Sequence, residues 1–176
     1  MRERRFTGYR IANIRRIFLY LAFMKVYTDT SVIGGYFDKE FQEWSIALWN
    51  EFIAGAKHIM LSDLTAQELE FAREEIRNLV SYIPETNRVD IIVDDEAIKL
   101  AETYITEGAL TNKSYNDALH IALATINNAD VLASWNFKHI VNLDRIRLYN
   151  SINLRFGYRL IEIRTPREIL NLTDNE

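Results

Sequence analysis

The sequence predicts an α/β domain with a mostly parallel sheet and helices on both of its faces. Short apolar runs alternate along the chain with helical patterns, and this alternation is typical of βαβ units. Each apolar run is brief and mostly uninterrupted by polar residues, as expected of strands that are covered on both faces. The chain has 176 residues and a hydrophobic content of 48%, which is enough for one domain with a full core.

The elements follow in order along the chain. Strands are predicted at 25–28, 58–61, 90–93, 130–134 and 158–163. Helices are predicted, from apolar spacing or from end signals, at about 41–52, 64–80, 94–107, 114–126 and 144–156. Gly108, Asn127–Asn128 and Gly157 supply three of the helix ends. Gly34 and Gly35 are expected to form a flexible turn after the first strand.

Composition excludes several classes of function. The chain has no cysteine, which rules out disulfides, thiolate zinc sites and cysteine nucleophiles and predicts a cytoplasmic protein. The net charge of −4 divides into +5 over residues 1–23 and −9 over the remainder. An acidic body argues against broad, nonspecific phosphate binding and suits a protein that gathers carboxylates around a cation.

The first 23 residues are expected to be a basic extension that precedes the domain. They carry six arginines and a single acid, and the apolar run at 17–24 is far shorter than the roughly 20 residues of a membrane span. It resembles a weak signal peptide, but no small-residue cleavage site follows. We expect the domain to cover 24–176, with Met24 as the natural start; an ordinary basic surface helix is the alternative.

Three acids and one amide are predicted near the carboxyl ends of strands, where open α/β sheets bind ligands. Asp29 follows the first strand, Glu68 lies one turn into the helix after the second, and Asn136 follows the fourth. Asp117 lies on the apolar side of a helix, where an acid is costly unless it is paired. Each residue alone could be a helix cap, and Thr65-x-x-Glu68 has the form of a capping box.

As a set, these residues point to a metal site. Crowded carboxylates raise each other's pKa unless a cation neutralises them, and hard oxygen ligands favour Mg²⁺ or Mn²⁺ over Zn²⁺. The histidines lack zinc-type spacing. His58 is predicted in or beside a strand, His120 near the site or packed in the core, and His139 towards solvent. The sequence contains no Walker-type or dinucleotide-binding glycine motif and no serine-hydrolase elbow.

Four segments, in this order and spacing, resemble the four motifs of PIN-domain proteins, which include the VapC-like toxins of bacterial type II toxin–antitoxin systems. They are "VYTDTSVIGGYFD", "LSDLTAQELE", "SYNDALHIALA" and "VLASWNFKHI". The resemblance extends from about Met24 to Leu170 and includes the closing "RTPREIL". It implies a three-layer PIN-like fold with a parallel sheet of about five strands.

The resemblance also implies a Mg²⁺- or Mn²⁺-dependent ribonuclease. Asp29, Glu68 and Asp117 match the acids of the first three motifs, and Asn136 completes the catalytic set where many members carry Asp. Asp29 and Asp117 would hold the metal, which lowers the pKa of a bound water, and Glu68 would complete its ligands or orient that water. The hydroxyls of Thr30 or Ser31 and of Ser134 would lie near the metal.

The partners implied are an RNA substrate, an antitoxin protein and a second copy of the chain, with no membrane. The residues suggested for RNA contact are Lys113, Trp135 and Lys138, with Arg145, Arg147, Arg155 and Arg159 further away. Core packing is about as good an explanation of Trp135 as base stacking. Core packing is also the default for the aromatic helix that contains Trp44, Leu48, Trp49 and Phe52, although the family suggests a groove there for an antitoxin segment.

Two other functions compete with a toxin ribonuclease. An RNA- or protein-binding module on the same fold, with a degraded site, is favoured by Asn136 and by the acidic surface. A Mg²⁺ phosphatase of another α/β family ranks lower, because "TDTS" lacks the second acid of a D-x-D motif.

Overall fold

The computed structural model describes residues 23–171, so the predicted extension, apart from Phe23, lies outside the described residues. The strands are β1 Met24–Thr28, β2 Lys57–Ser62, β3 Arg88–Ile91, β4 Val131–Ala133 and β5 Ile163–Arg164. The α-helices are α1 Thr30–Gly35, α2 Gln42–Ala54, α3 Asp63–Leu69, α4 Glu74–Leu79, α5 Asp95–Thr106, α6 Tyr115–Ile126, α7 Leu143–Arg155 and α8 Pro166–Asn171. Short 3-10 turns occupy Val80–Tyr82, Glu85–Asn87 and Asn112–Ser114.

The five strands form one parallel sheet in the order β3-β2-β1-β4-β5, which confirms the predicted fold class. Val26 of β1 aligns with Ile59 of β2 on one side and with Val131 of β4 on the other. The chain builds outwards from β1 to β3 and then returns to place β4 on the opposite side of β1. The carboxyl ends of β1 and β4 therefore flank a switch point, where a crevice forms in open α/β sheets.

Alternate strand residues face opposite layers, and each layer has its own core. Tyr27 and Leu132 pack with α5, α6 and α7, whereas Val26 and Val131 pack with α1, α2 and α8. Burying one large apolar side chain contributes about 1.5–3 kcal/mol, so both layers hold the strand ends firmly in place. Among residues 23–171, no helix combines the length and the apolar composition that a membrane crossing requires.

The aromatic helix α2 mainly builds the second of these cores. Leu48, Trp49 and Phe52 are buried, which confirms core packing and leaves those three side chains unavailable to a groove. Trp44 is half-buried, and the guanidinium of Arg167 lies over its ring at 5.3 Å.

Several predicted boundaries were wrong. β3 begins two residues earlier than expected, and β5 has only two residues because the Asn150 amide binds the backbone N–H and carbonyl of Ile161 just before it. The helical pattern over 64–80 divides into α3 and α4. Gly34 and Gly35 lie inside α1 rather than in a flexible turn. The helix ends were right: Gly108, Asn128 and Gly157 have φ of 78°, 55° and 84°, in the left-handed region.

Candidate metal centre

Asp29 lies directly after β1 and is 4% exposed. One carboxylate oxygen accepts from the backbone N–H groups of Ser31 and Val32, at 3.1 and 3.3 Å, and from the Ser31 hydroxyl at 2.6 Å. The other oxygen accepts from the Ser134 hydroxyl at 2.6 Å. Burial raises the pKa of Asp29, although a positive charge on His120 and the hydroxyl donors oppose this. Asp29 is thus the N-cap of α1 and, at the same time, a buried acid beside the switch point.

Asp117 lies in the first turn of α6 and is half-buried. Its Oδ1 accepts a hydrogen bond from the Asn136 amide nitrogen at 2.9 Å. Burial raises its pKa, and positive charges on His139 and His120 oppose the rise. Ser114 is the N-cap residue of α6, but its hydroxyl makes no capping bond to the helix backbone.

Asn136 uses both ends of its amide within the protein. Its oxygen accepts from the backbone N–H of His139 at 3.0 Å, which caps the turn after β4 as predicted. Its nitrogen donates to Asp117 Oδ1, so the amide of Asn136 holds one of the predicted acids. His139 is half-buried rather than fully solvent-facing as expected, and its Nδ1 is buried with no hydrogen-bond partner.

Glu68 accepts hydrogen bonds from three side chains. Thr30 donates to Oε2 at 2.8 Å, His120 Nε2 lies 3.1 Å from the same oxygen, and Asn116 donates to Oε1 at 2.8 Å. Burial alone would raise the pKa of Glu68, but these bonds and a positive charge on His120 lower it to about 2. Glu68 is therefore ionised at neutral pH. The cap of α3 is Ser62, which accepts from Thr65 N–H, so Thr65 does not play the predicted capping role.

A buried chain of hydroxyls behind Glu68 was not predicted. The Tyr27 hydroxyl lies 2.7 Å from His120 Nδ1 and 2.9 Å from the Ser62 hydroxyl. Because ionised Glu68 can only accept, His120 Nε2 must carry a proton. Tyr27 then donates to Nδ1 of a neutral imidazole or accepts from Nδ1–H of an imidazolium, so its hydroxyl pairs with His120 in either state.

The remaining predicted residues fall around these acids. Thr30 binds Glu68, whereas Ser31 and Ser134 bind Asp29. Lys113 is exposed in a shallow polar cleft of about 320 Å³ that also contains Asp117. Lys138 is exposed, and Trp135 is half-buried.

The more distant arginines have partners within the protein. Arg145 donates to the carbonyl oxygen of Ala109, Arg147 lies 3.5 Å from Asp144, and Arg155 pairs with Glu107. Arg159 donates weakly to the Asn128 side chain at 3.5 Å. These contacts support structural roles for the first three.

The donor chemistry fits a hard cation. The three acids offer only carboxylate oxygens, and burial raises the pKa of Asp29 and Asp117, so their ionised forms are costly and a bound cation would stabilise them. The fit is chemical rather than geometric: within the described residues, no three His, Cys, Asp or Glu side chains converge as a metal cluster. Protein donors hold each acid instead.

The family model of the PIN domain matches residues 26–139. No curated protein matches the chain. Among solved structures, the chain is similar to one in the crystal structure of VapBC2 from Rickettsia felis bound to a DNA fragment from their promoter, with a TM-score of 0.52 and 16% identity. That match covers 81% of this chain and 98% of the other, and at this identity it shows a shared fold.

Proposed function

The chain belongs to the PIN-domain family, and on that premise we propose that it is a metal-dependent endoribonuclease that hydrolyses RNA phosphodiester bonds. PIN domains are generally nucleases. The observation that carries the proposal is the network joining the predicted acids: Ser134 donates to Asp29, and Asn136, two residues further on, donates to Asp117. Glu68 is held by Thr30, the residue next to Asp29.

Asp29 and Asp117 would hold Mg²⁺ or Mn²⁺, with Glu68 as a third ligand or as the group that orients a water molecule. The bound cation would supply a hydroxide near neutral pH and neutralise charge developing on the phosphate. The chain's own contribution is to fix the acids in place. Ser31 and Ser134 orient Asp29, while Thr30 and His120 hold Glu68 ionised.

The test is RNA cleavage by the purified protein with Mg²⁺ or Mn²⁺ and again with EDTA. Asp29→Asn and Asp117→Asn should each abolish cleavage, because an amide cannot supply the charge that the cation needs. Asp144→Asn is the matched control, since Asp144 is an exposed acid of α7 outside the network. Cleavage that persists in EDTA would refute the metal mechanism.

We further propose that the protein is the toxin of a toxin–antitoxin pair, a homodimer in the cytoplasm. The support is the fold shared with a chain of the VapBC2 structure, which is a complex bound to its promoter DNA. Co-expression with the product of a small adjacent open reading frame should restore the growth of cells that express this chain. Continued growth arrest with every adjacent product would count against an antitoxin encoded there.

A second candidate is an RNA-binding module without catalysis. The contact between Asn136 and Asp117 favours it, because an amide donor occupies the place of a fourth acid. Mn²⁺ titration followed by calorimetry separates the two functions. RNA binding in EDTA without any detectable Mn²⁺ binding would support the module, and Mn²⁺ binding that is lost in Asp117→Asn would support the nuclease.

A further inference from the structure

The loop after β4 alternates residues that hold the acids with aromatic residues. Ser134 donates to Asp29 at 2.6 Å, and Asn136 donates to Asp117 at 2.9 Å. Trp135 and Phe137 follow them in turn, and adjacent Cα atoms are about 3.8 Å apart. The same short backbone thus fixes both the acids and the two rings.

These two rings form a cluster with Phe41, which we call the aromatic platform (Phe41, Trp135 and Phe137). Phe41 and Trp135 stack with ring centroids 4.7 Å apart and planes 23° apart. The Phe137 centroid lies 6.3 Å from Phe41 and 6.2 Å from Trp135. The platform is therefore continuous, with each ring supported by the other two.

Hydrogen bonds and close packing hold Trp135 of the platform in place. Its indole N–H donates to the Ser45 hydroxyl at 2.9 Å, and its backbone N–H donates to Ser31 at 2.8 Å. A Cβ at Gly35 would approach the indole ring to 2.9 Å, so the absence of a side chain there permits this packing. Because Phe41 stacks on the indole, Trp135 is poorly placed to stack on a base.

Phe137 is the exposed ring of the platform, with 51% of its surface accessible to solvent. Single exposed apolar residues are common on proteins and need no explanation. Phe137 differs from these because it rests on two further rings and directly follows the residue that binds Asp117. The exposed Lys138 comes next and can contact a phosphate.

From this arrangement we propose that Phe137 stacks on an unpaired base of the RNA beside the site formed by the acids. The platform favours single-stranded or loop RNA, because a paired base in a helix has both of its faces covered by neighbours. This inference rests on the RNA-directed function proposed above. It assigns to Phe137 the base-stacking role that the sequence suggested for Trp135.

The experiment measures RNA binding in EDTA, so that cleavage does not interfere. The probes are short single-stranded RNAs that carry the fluorescent base aminopurine at successive positions, and a hairpin with the same substitutions in its stem. The matched control for Phe137→Ala is Phe156→Ala. Phe156 is 50% exposed and follows α7, which returns the chain from the carboxyl end of β4 towards the amino end of the parallel strand β5.

Wild-type protein should quench aminopurine in single-stranded RNA at one or two adjacent positions and should not quench it in the stem. Phe137→Ala should abolish that quenching and weaken binding by about 5-fold to about 160-fold, the range that corresponds to one lost base–aromatic stack. Phe137→Tyr should restore both, and Phe156→Ala should leave both unchanged.

Unchanged binding and quenching in Phe137→Ala would overturn the inference and leave the platform to a protein partner or to local packing. Equal losses in Phe137→Ala and Phe156→Ala would overturn it as well. The proposed nuclease is judged separately, by metal-dependent cleavage. If the protein cleaves RNA but Phe137 does not stack on a base, only this inference fails. If Phe137 stacks on a base but the protein does not cleave RNA, the inference holds for an RNA-binding module without catalysis.

Discussion

Replacing Tyr27 by Phe removes a single hydroxyl from the centre of the molecule. Tyr27 is fully buried, and its hydroxyl lies 2.7 Å from His120 Nδ1 and 2.9 Å from the Ser62 hydroxyl. The aromatic ring and its packing remain in place. The substitution therefore isolates the hydrogen bonds behind Glu68.

The expected cost follows from the partners that remain. Ser62 keeps Thr65, whose backbone N–H and hydroxyl lie 3.2 and 3.1 Å from it. His120 Nδ1 loses its hydrogen bond to Tyr27, and an unsatisfied buried polar group costs about 1–3 kcal/mol. For a protein of this size, 1 kcal/mol changes Tm by about 2–4 °C, so we expect a decrease of roughly 2–12 °C.

Tyr27→Phe should also weaken Mn²⁺ binding, because His120 no longer has a partner that fixes its Nε2–H towards Glu68. Tyr104→Phe is the matched control: Tyr104 is equally buried and donates to Asn153 at 2.6 Å, away from the acids. Thermal denaturation with and without Mn²⁺ measures both effects. A Tyr27→Phe variant as stable as wild type, or an equal loss of Mn²⁺ affinity in both variants, would refute this role of the Tyr27 hydroxyl.

Three further predictions concern Asp29, the two glycines of α1 and Glu68. Because burial raises the pKa of Asp29, its contribution to stability is full below its ordinary pKa and declines as pH rises through the raised value. Asp29→Asn should therefore unfold at a higher temperature than wild type in EDTA at neutral pH, yet gain nothing from Mn²⁺; a lower Tm in EDTA would contradict this. Gly35→Ala should destabilise the protein in urea titrations, because its Cβ would lie 2.7 Å from the Ser45 hydroxyl. Gly34→Ala, with no atom within 4 Å of its Cβ, should instead stabilise α1 by up to about 1 kcal/mol, and equal effects would refute the packing argument. Glu68 has a pKa lowered from 4.5 to about 2, so its contribution is present above pH 4.5 and is lost as pH falls towards 2. Unfolding of Glu68→Gln should depend less on pH across that window than wild type, and identical acid profiles would show that Glu68 is not paired as described.

The parallel sheet was predictable from sequence, because apolar runs and helix stops are local signals. Gly108 and Gly157 ended helices as expected. The early start of β3 and the shortness of β5 were not predictable, since hydrogen bonding between distant segments sets where a strand begins. The binding of Ile161 by Asn150 is one such contact, and no periodicity reveals it.

The positions of Asp29 and Asn136 also followed from local pattern, since each comes directly after a strand or one turn from it. The side chains that hold Glu68 in place could not be predicted from local pattern. Tyr27 looks like any apolar strand residue, and only the spatial meeting of β1, β2 and α6 brings its hydroxyl to Ser62 and His120. The direction of the Asn136 amide likewise depends on which donors and acceptors surround it in the folded chain.

Protein donors already hold the carboxylates of Asp29, Glu68 and Asp117. A small zinc domain collapses when its ion is removed, because coordination supplies the free energy of folding. Here the chain can keep its shape without an ion. Chelation should therefore be fully reversible: dialysis against EDTA should abolish the proposed ribonuclease activity, and added Mg²⁺ should restore it with no refolding step. The concentration of free Mg²⁺ would then govern the activity of the protein, independently of how much of the protein is present.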